Sequence, residues 1–172
     1  MVFIYYTKKS PFNLGNRVYG PQTLQNATYQ GVEHVLSTFP TNKNINIYLD
    51  REGALKVLNK LPLCDKEMHH AHEVNMLNKI AHLIKKRTGT TQFLQIYSHL
   101  DVTPEMTESE ASTKKEHWQR MKEWYSNDKA YRLKHGNEGA DCMCEQGLLK
   151  EPLSAPPSYT VPQPYVATVY KL

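Results

Sequence analysis

Apolar residues along the chain alternate between strand-like runs and helix-like periodicity. Residues 2–7, Val-Phe-Ile-Tyr-Tyr-Thr, form a β-branched and aromatic run that predicts a buried strand. Lys8-Lys9-Ser10-Pro11 ends it, and Asn13, Gly15, Asn16, Gly20 and Pro21 predict a loop. Thr23 is a suitable N-cap. Behind it Leu24, Ala27, Gly31, Val35 and Leu36 recur at helical spacing, which predicts a helix to about Thr38. A turn cluster over 39–44 leads into a second strand, Ile45 to Leu49, ending at Asp50. A short helix through Ala54, Leu55, Val57 and Leu58 stops before Pro62. A long helix is expected over about 65–87, with Met76, Ile80, Leu83 and Ile84 as its apolar stripe. Gly89 closes it, and 92–97 reads as a third strand.

Residues 101–135 have another texture. Seven acidic and seven basic residues balance there, and Trp118, Met121 and Tyr125 are spaced three and four apart. Thr103-Pro104-Glu105 and Thr107-x-x-Glu110 are both helix-start signals. This stretch reads as an amphipathic helical insertion, and Gly136 opens a further short helix to about Gly147. Five of the ten prolines fall between Pro152 and Pro164, which predicts an extended arm before a last strand, Tyr165 to Tyr170. The order of elements predicts an α/β fold with a parallel sheet core. Residues 1–147 would form one domain and 148–172 its arm.

Composition narrows the class. The length of 172 residues suits one domain with a real core. With 22% charged and 40% hydrophobic residues the chain is neither disordered nor membranous, and no apolar run approaches the roughly 20 residues of a membrane span. The start lacks the basic and apolar regions of a signal peptide. Three cysteines fit an intracellular, reducing compartment better than a disulfide framework, without distinguishing nucleus, cytoplasm or organelle. The net charge of +4 is uninformative as a total, but its distribution is not. Residues 1–32 hold Lys8, Lys9 and Arg17 and no carboxylate, the first being Glu33.

Five segments, in order, carry a resemblance. Ile4-Tyr5-Tyr6-Thr7-Lys8-Lys9-Ser10 is similar to a first strand ending in Thr-Asp-Gly-Ser. Pro21-Gln22-Thr23-Leu24-Gln25-Asn26-Ala27-Thr28 resembles Pro-Gln-Thr-Asn-Gln-Arg-Ala-Glu. Ile47-Tyr48-Leu49-Asp50 resembles Ile-Tyr-Thr-Asp. Ile96-Tyr97-Ser98-His99 stands where Val-Lys-Gly-His is written, and Gly136-Asn137-Glu138-Gly139-Ala140-Asp141 resembles Gly-Asn-Glu-x-Ala-Asp. Together they resemble ribonuclease H of the type-1 kind, especially the domains attached to reverse transcriptases, over residues 2–147.

That family cuts the RNA strand of an RNA–DNA hybrid with two Mg²⁺ ions that clamp the scissile phosphate. Four carboxylates hold the ions: one after each of the first and fourth strands, one in the first helix and one in the last. The resemblance places Lys8, Thr28, Asp50 and Asp141 at those positions, with His99 at that of a histidine that aids product release. Two of the four ligands are therefore gone, one replaced by an ammonium, and hard cations need anionic oxygen. Glu33, five residues past Thr28, is more than a turn away and should not face the same site. Asp50 and Asp141 remain either as a vestigial metal site or as strand-end and capping residues. Lys8 would then be their ion-pair partner in place of the metal. The family also has a two-stranded hairpin before its first helix. Residues 11–20 are short for that, so the first strand is expected to expose an edge able to recruit another strand.

Other signals admit plain readings. His69 and Glu73 share a helix face beside His70 and His72, but zinc needs three or four ligands and a polar face suffices. Cys142 and Cys144 have the wrong spacing for a zinc knuckle and suit core thiols. Trp118, Met121 and Tyr125 could pack on the domain or bind a partner. Lys85-Lys86-Arg87 and Lys114-Lys115 could touch phosphates or be solvated. Tyr5, Tyr6, Tyr19, Tyr29 and Tyr48 could stack on bases or fill the core.

The sequence thus leads us to expect a reduced, catalytically inactive RNase H-like domain of retroelement ancestry. It would be a structural or adaptor subunit of a nucleic-acid-containing assembly. The alternatives are a pseudoenzyme that binds RNA or hybrid without cutting and a weak residual nuclease. No cofactor is expected, Mg²⁺ entering only with residual activity. Expected binding residues are Lys8, Lys9, Arg17, Trp118, Tyr125, Tyr165 and Tyr170. Protein partners would use the first-strand edge, the insertion and the arm, and no membrane is involved.

Overall fold

Helices cover both faces of a small parallel sheet. A computed structural model of the chain describes residues 2–4, 14–16, 18–21, 23–64 and 73–150. In chain order the elements are β1 (Val2–Ile4), β2 (Leu14–Asn16), α1 (Leu24–Thr38), β3 (Ile45–Leu49), α2 (Glu52–Leu58), α3 (Val74–Lys85), β4 (Thr91–Gln95), α4 (Glu108–Tyr125) and α5 (Asn127–Leu148).

Strands β3 and β4 pair in parallel, with Ile47 opposite Phe93 and Tyr48 opposite Leu94. Side chains alternate across a strand, so each face has its own core. Ile45, Ile47, Leu49 and Phe93 pack with residues of α1, α2 and α3, among them Tyr29, Val32, Val35, Leu58, Leu77 and Ile80. Tyr48, Leu94 and Ile96 face the opposite way, onto Met121 of α4 and Ala130 and Leu133 of α5. The result is α/β as expected, with a parallel pair at its centre, but the first strand is not part of that sheet: β1 and β2 form a separate two-stranded sheet.

Local chemistry fixes the joints. The Thr23 side chain accepts from the Asn26 amide and caps α1 as expected. Buried Asn26 and Gln30, one turn apart, fasten the preceding loop. Asn26 Nδ2 donates to the Tyr19 and Pro21 carbonyls at 3.0 and 2.7 Å, and Gln30 Nε2 donates to Tyr19 O at 2.7 Å. After α3 the Arg87 guanidinium donates to the carbonyls of Phe39, Pro40 and Lys43 at 3.3, 3.0 and 2.7 Å, tying the end of α3 to the turn before β3.

Several expectations are corrected. The stretch expected as loop holds β2, which pairs antiparallel with β1, Phe3 opposite Gly15. The first strand therefore has a neighbour on one side rather than losing both, because three residues suffice for a minimal ladder. Thr103-Pro104 starts a turn closed by Met106 N to Thr103 O at 3.2 Å, not a helix. Helix α4 begins instead at the Thr107–Glu110 capping box. Gly136 does not open a helix either. It lies inside α5, which runs 22 residues. Ala130, Leu133, Asn137 and Ala140 are buried at helical spacing on that helix, and this packing outweighs the roughly 1 kcal/mol a mid-helix glycine costs. The break falls at Ser126, whose φ of 66° separates α4 from α5. Of the long helix expected over 65–87, α3 covers the second half; 65–72, the arm and its Tyr165–Tyr170 strand lie outside the described residues.

Candidate functional site

Three of the four positions that the resemblance singles out lie among the described residues. Asp50 directly follows β3 and is half-buried. Thr28 sits in the second turn of α1, 1% exposed, and its hydroxyl donates to the Leu24 carbonyl at 2.9 Å. Asp141 lies in α5, the helix that runs beside β1 and β2, and accepts from Asn137 Nδ2 at 3.3 Å. Lys8 falls outside the described residues, as do Lys9 and Arg17. His99 is exposed in the segment after β4, with a φ of 52°.

Tyr29, next to Thr28, faces the core. Its ring is fully buried and its hydroxyl accepts from Gln25 at 2.9 Å. Burial raises the phenol pKa, while the Gln25 hydrogen bond and the Arg51 charge oppose that rise. Tyr29 thus lies within electrostatic reach of Arg51, just before α2. Glu33 pairs with Lys79 of α3 at 2.8 Å and accepts from Ser37 at 3.1 Å.

A hydroxyl that is buried and satisfied within its own helix has no anionic oxygen to give a cation. Among the described residues no group of three His, Cys, Asp or Glu side chains could hold a metal. His69, His70 and His72 lie outside them, as does the side chain of Cys144, while Cys142 is exposed rather than a core thiol.

The sequence signals with two readings now divide. Arg87 is buried and spends its guanidinium on backbone carbonyls, so the Lys85-Lys86-Arg87 run is not a continuous phosphate patch. Lys114 Nζ donates to the Asp101 carbonyl at 2.8 Å. Tyr29 and Tyr48 are buried in the two cores and cannot stack on bases; Tyr19 is partly buried. Tyr5 and Tyr6 lie outside the described residues. Met121 is 0% exposed, and Trp118 and Tyr125 pack partly buried against the same core, Tyr125 donating its hydroxyl to the Gln95 carbonyl. Burial pushes the Tyr125 pKa up to about 12, so it stays a neutral donor.

No protein-family model matches the chain, and neither a curated protein nor a solved structure matches it.

One surface feature was missed in the sequence. The Tyr97 ring stacks on His117 with centroids 3.9 Å apart and planes 4° from parallel, and on Trp124 at 5.5 Å and 23°. Trp124 is 48% exposed. Lys129 lies over the Tyr48 and Tyr125 rings at 5.5 and 5.3 Å, and Lys122 over Trp118 at 5.9 Å. His117 and Trp124 are seven apart, two helical turns on one flank of α4. That spacing was the available signal, overshadowed by the core stripe through Trp118, Met121 and Tyr125. No described helix is long and apolar enough to cross a membrane.

Proposed function

We propose that the chain is an RNase H-like domain that has lost its metal site and serves as a non-enzymatic structural or adaptor module in a nucleic-acid-containing assembly. The observation that carries this reading is Thr28. Where the resemblance calls for a metal-binding glutamate, the chain has a short hydroxyl, sealed from solvent and bonded to Leu24 O. Losing that ligand and gaining Lys8 removes two negative charges from a site meant for two divalent cations and adds a positive one.

The arrangement supports the rest of the reading. The matched positions fall after a central parallel strand, early in the first helix and in the last described helix. The first strand pairs antiparallel with the next. Tyr29 of α1 lies within electrostatic reach of Arg51, the residue after Asp50. A domain that keeps such a frame and loses the ligands retains a folded surface without the chemistry.

The test is incubation of an RNA–DNA hybrid with the full chain in Mg²⁺ and in Mn²⁺. The expected result is no cleavage. Cleavage that disappears in Asp50→Asn would sink the reading.

A further inference from the structure

We infer that the exposed face of Trp124, backed by Tyr97 and His117, is a stacking platform for the bases of a single-stranded nucleic acid. The inference rests on the reading of the chain as a module of a nucleic-acid-containing assembly and names the form of nucleic acid it would hold.

The geometry is that of an unfinished stack. His117 and Trp124 lie two turns apart on α4, about 11 Å along its axis, and Tyr97 is nearly parallel to both. Tyr97 therefore lies between them. Core aromatics usually meet edge to face, as Tyr48 and Tyr125 do at 79°. Parallel rings leave a flat outer face, and Trp124 at the end of the stack is 48% exposed. A base adds a fourth ring in the same orientation, whereas a duplex keeps its bases stacked on one another.

One cation beside the stack could meet a phosphate. Lys129 lies on the neighbouring Tyr125 ring, which meets Trp124 edge-on at 6.2 Å. Of the two carboxylates of this stretch, Glu116 is offset by a cation and Glu123 keeps its charge. Glu116 pairs with Arg120, and Glu123 accepts from Gln119 at 3.0 Å.

The chain has two tryptophans, so Trp118→Phe leaves Trp124 as the sole indole. This full-length variant is titrated with a short oligo-dT or oligo-rU strand at low salt, without Mg²⁺. We expect saturable quenching of its fluorescence. In the otherwise wild-type chain, Trp124→Leu should weaken binding by about 5- to 150-fold, the range for losing one stacked base. Trp124 is half-exposed, so its loss leaves the fold intact, which circular dichroism checks.

Binding without quenching, or binding that Trp124→Leu leaves unchanged, overturns the inference. So does an absence of binding. Hybrid duplex measured in parallel separates the two readings: hybrid bound while single strand is ignored removes the platform and keeps the nucleic-acid module. Cleavage of hybrid would overturn the inactive-domain reading without touching the platform.

Discussion

Thr28 donates its hydroxyl to the Leu24 carbonyl one turn back, and so closes from within the position where the resemblance would place a metal-binding carboxylate. A glutamate there would bring a charge into a site only 1% exposed. Thr28→Glu should lower stability by at least about 2 kcal/mol, the scale of an uncompensated buried charge in a protein. Thr28→Ala, which keeps helix propensity and removes a satisfied hydroxyl, should change it by less than about 1 kcal/mol. Urea unfolding midpoints distinguish the two.

Gly89 is expected to tolerate no side chain. A Cβ there would lie 2.2 Å from the Lys43 carbonyl oxygen, which Arg87 also holds. Both sides of the clash are backbone, so neither can rotate away. Gly89→Ala should cost about 2 kcal/mol or more and Arg87→Ala a similar amount, since the latter strands carbonyls in a partly buried turn. Thermal unfolding reads both, and a wild-type Tm for Gly89→Ala would contradict the described approach of the two loops.

His34 gives the fold a pH dependence. Burial pushes its imidazole down to about 4, against the opposing pull of Glu33. The unfolded chain protonates near pH 6.5, so between about pH 6.5 and 4 it binds more protons than the folded chain. Stability attributable to this group should therefore fall as pH falls through that window, by on the order of 2 kcal/mol, and level off below it. His34→Gln should flatten the difference from the wild type over that range while leaving the carboxylate titration at lower pH.

Met121 and Trp124 lie three residues apart on α4 and should behave oppositely. Met121 is 0% exposed in the core beneath the helix, so Met121→Ala should cost about 3 kcal/mol. Trp124→Ala removes a half-exposed ring and one stacking contact, a loss of about 1 kcal/mol or less. Equal losses would mean that Trp124 is a core residue and not a surface group.

Much of the fold was legible where a single local signal decides it. Thr23 as N-cap, Ile45–Leu49 as a strand and Thr107–Glu110 as a helix start all depend on neighbours within a few residues. Where tertiary packing decides, the sequence misled. Gly136 reads as punctuation, yet Leu133 and Ala140 hold it within one helix. Leu14–Asn16 reads as loop, because a glycine and an asparagine hide a strand that exists only by pairing with β1. The candidate site divides in the same way. The missing carboxylates before Glu33 are visible in the sequence. The stacking of Tyr97 between His117 and Trp124 joins residues twenty or more positions apart and is not.

The most direct measurement of the central claim compares the response of two chains to Mg²⁺. Lys8→Asp/Thr28→Glu restores, together with Asp50 and Asp141, the four carboxylates that the resemblance calls for. If the frame is RNase H-like and only its ligands are lost, Mg²⁺ should raise the Tm of this variant by several degrees. That matches the roughly 2.7 kcal/mol gained at a hundredfold excess over Kd. The same Mg²⁺ should leave the wild-type Tm unchanged. A Mg²⁺-dependent shift in the wild type that Asp50→Asn abolishes, or no shift in a folded double variant, would contradict the account.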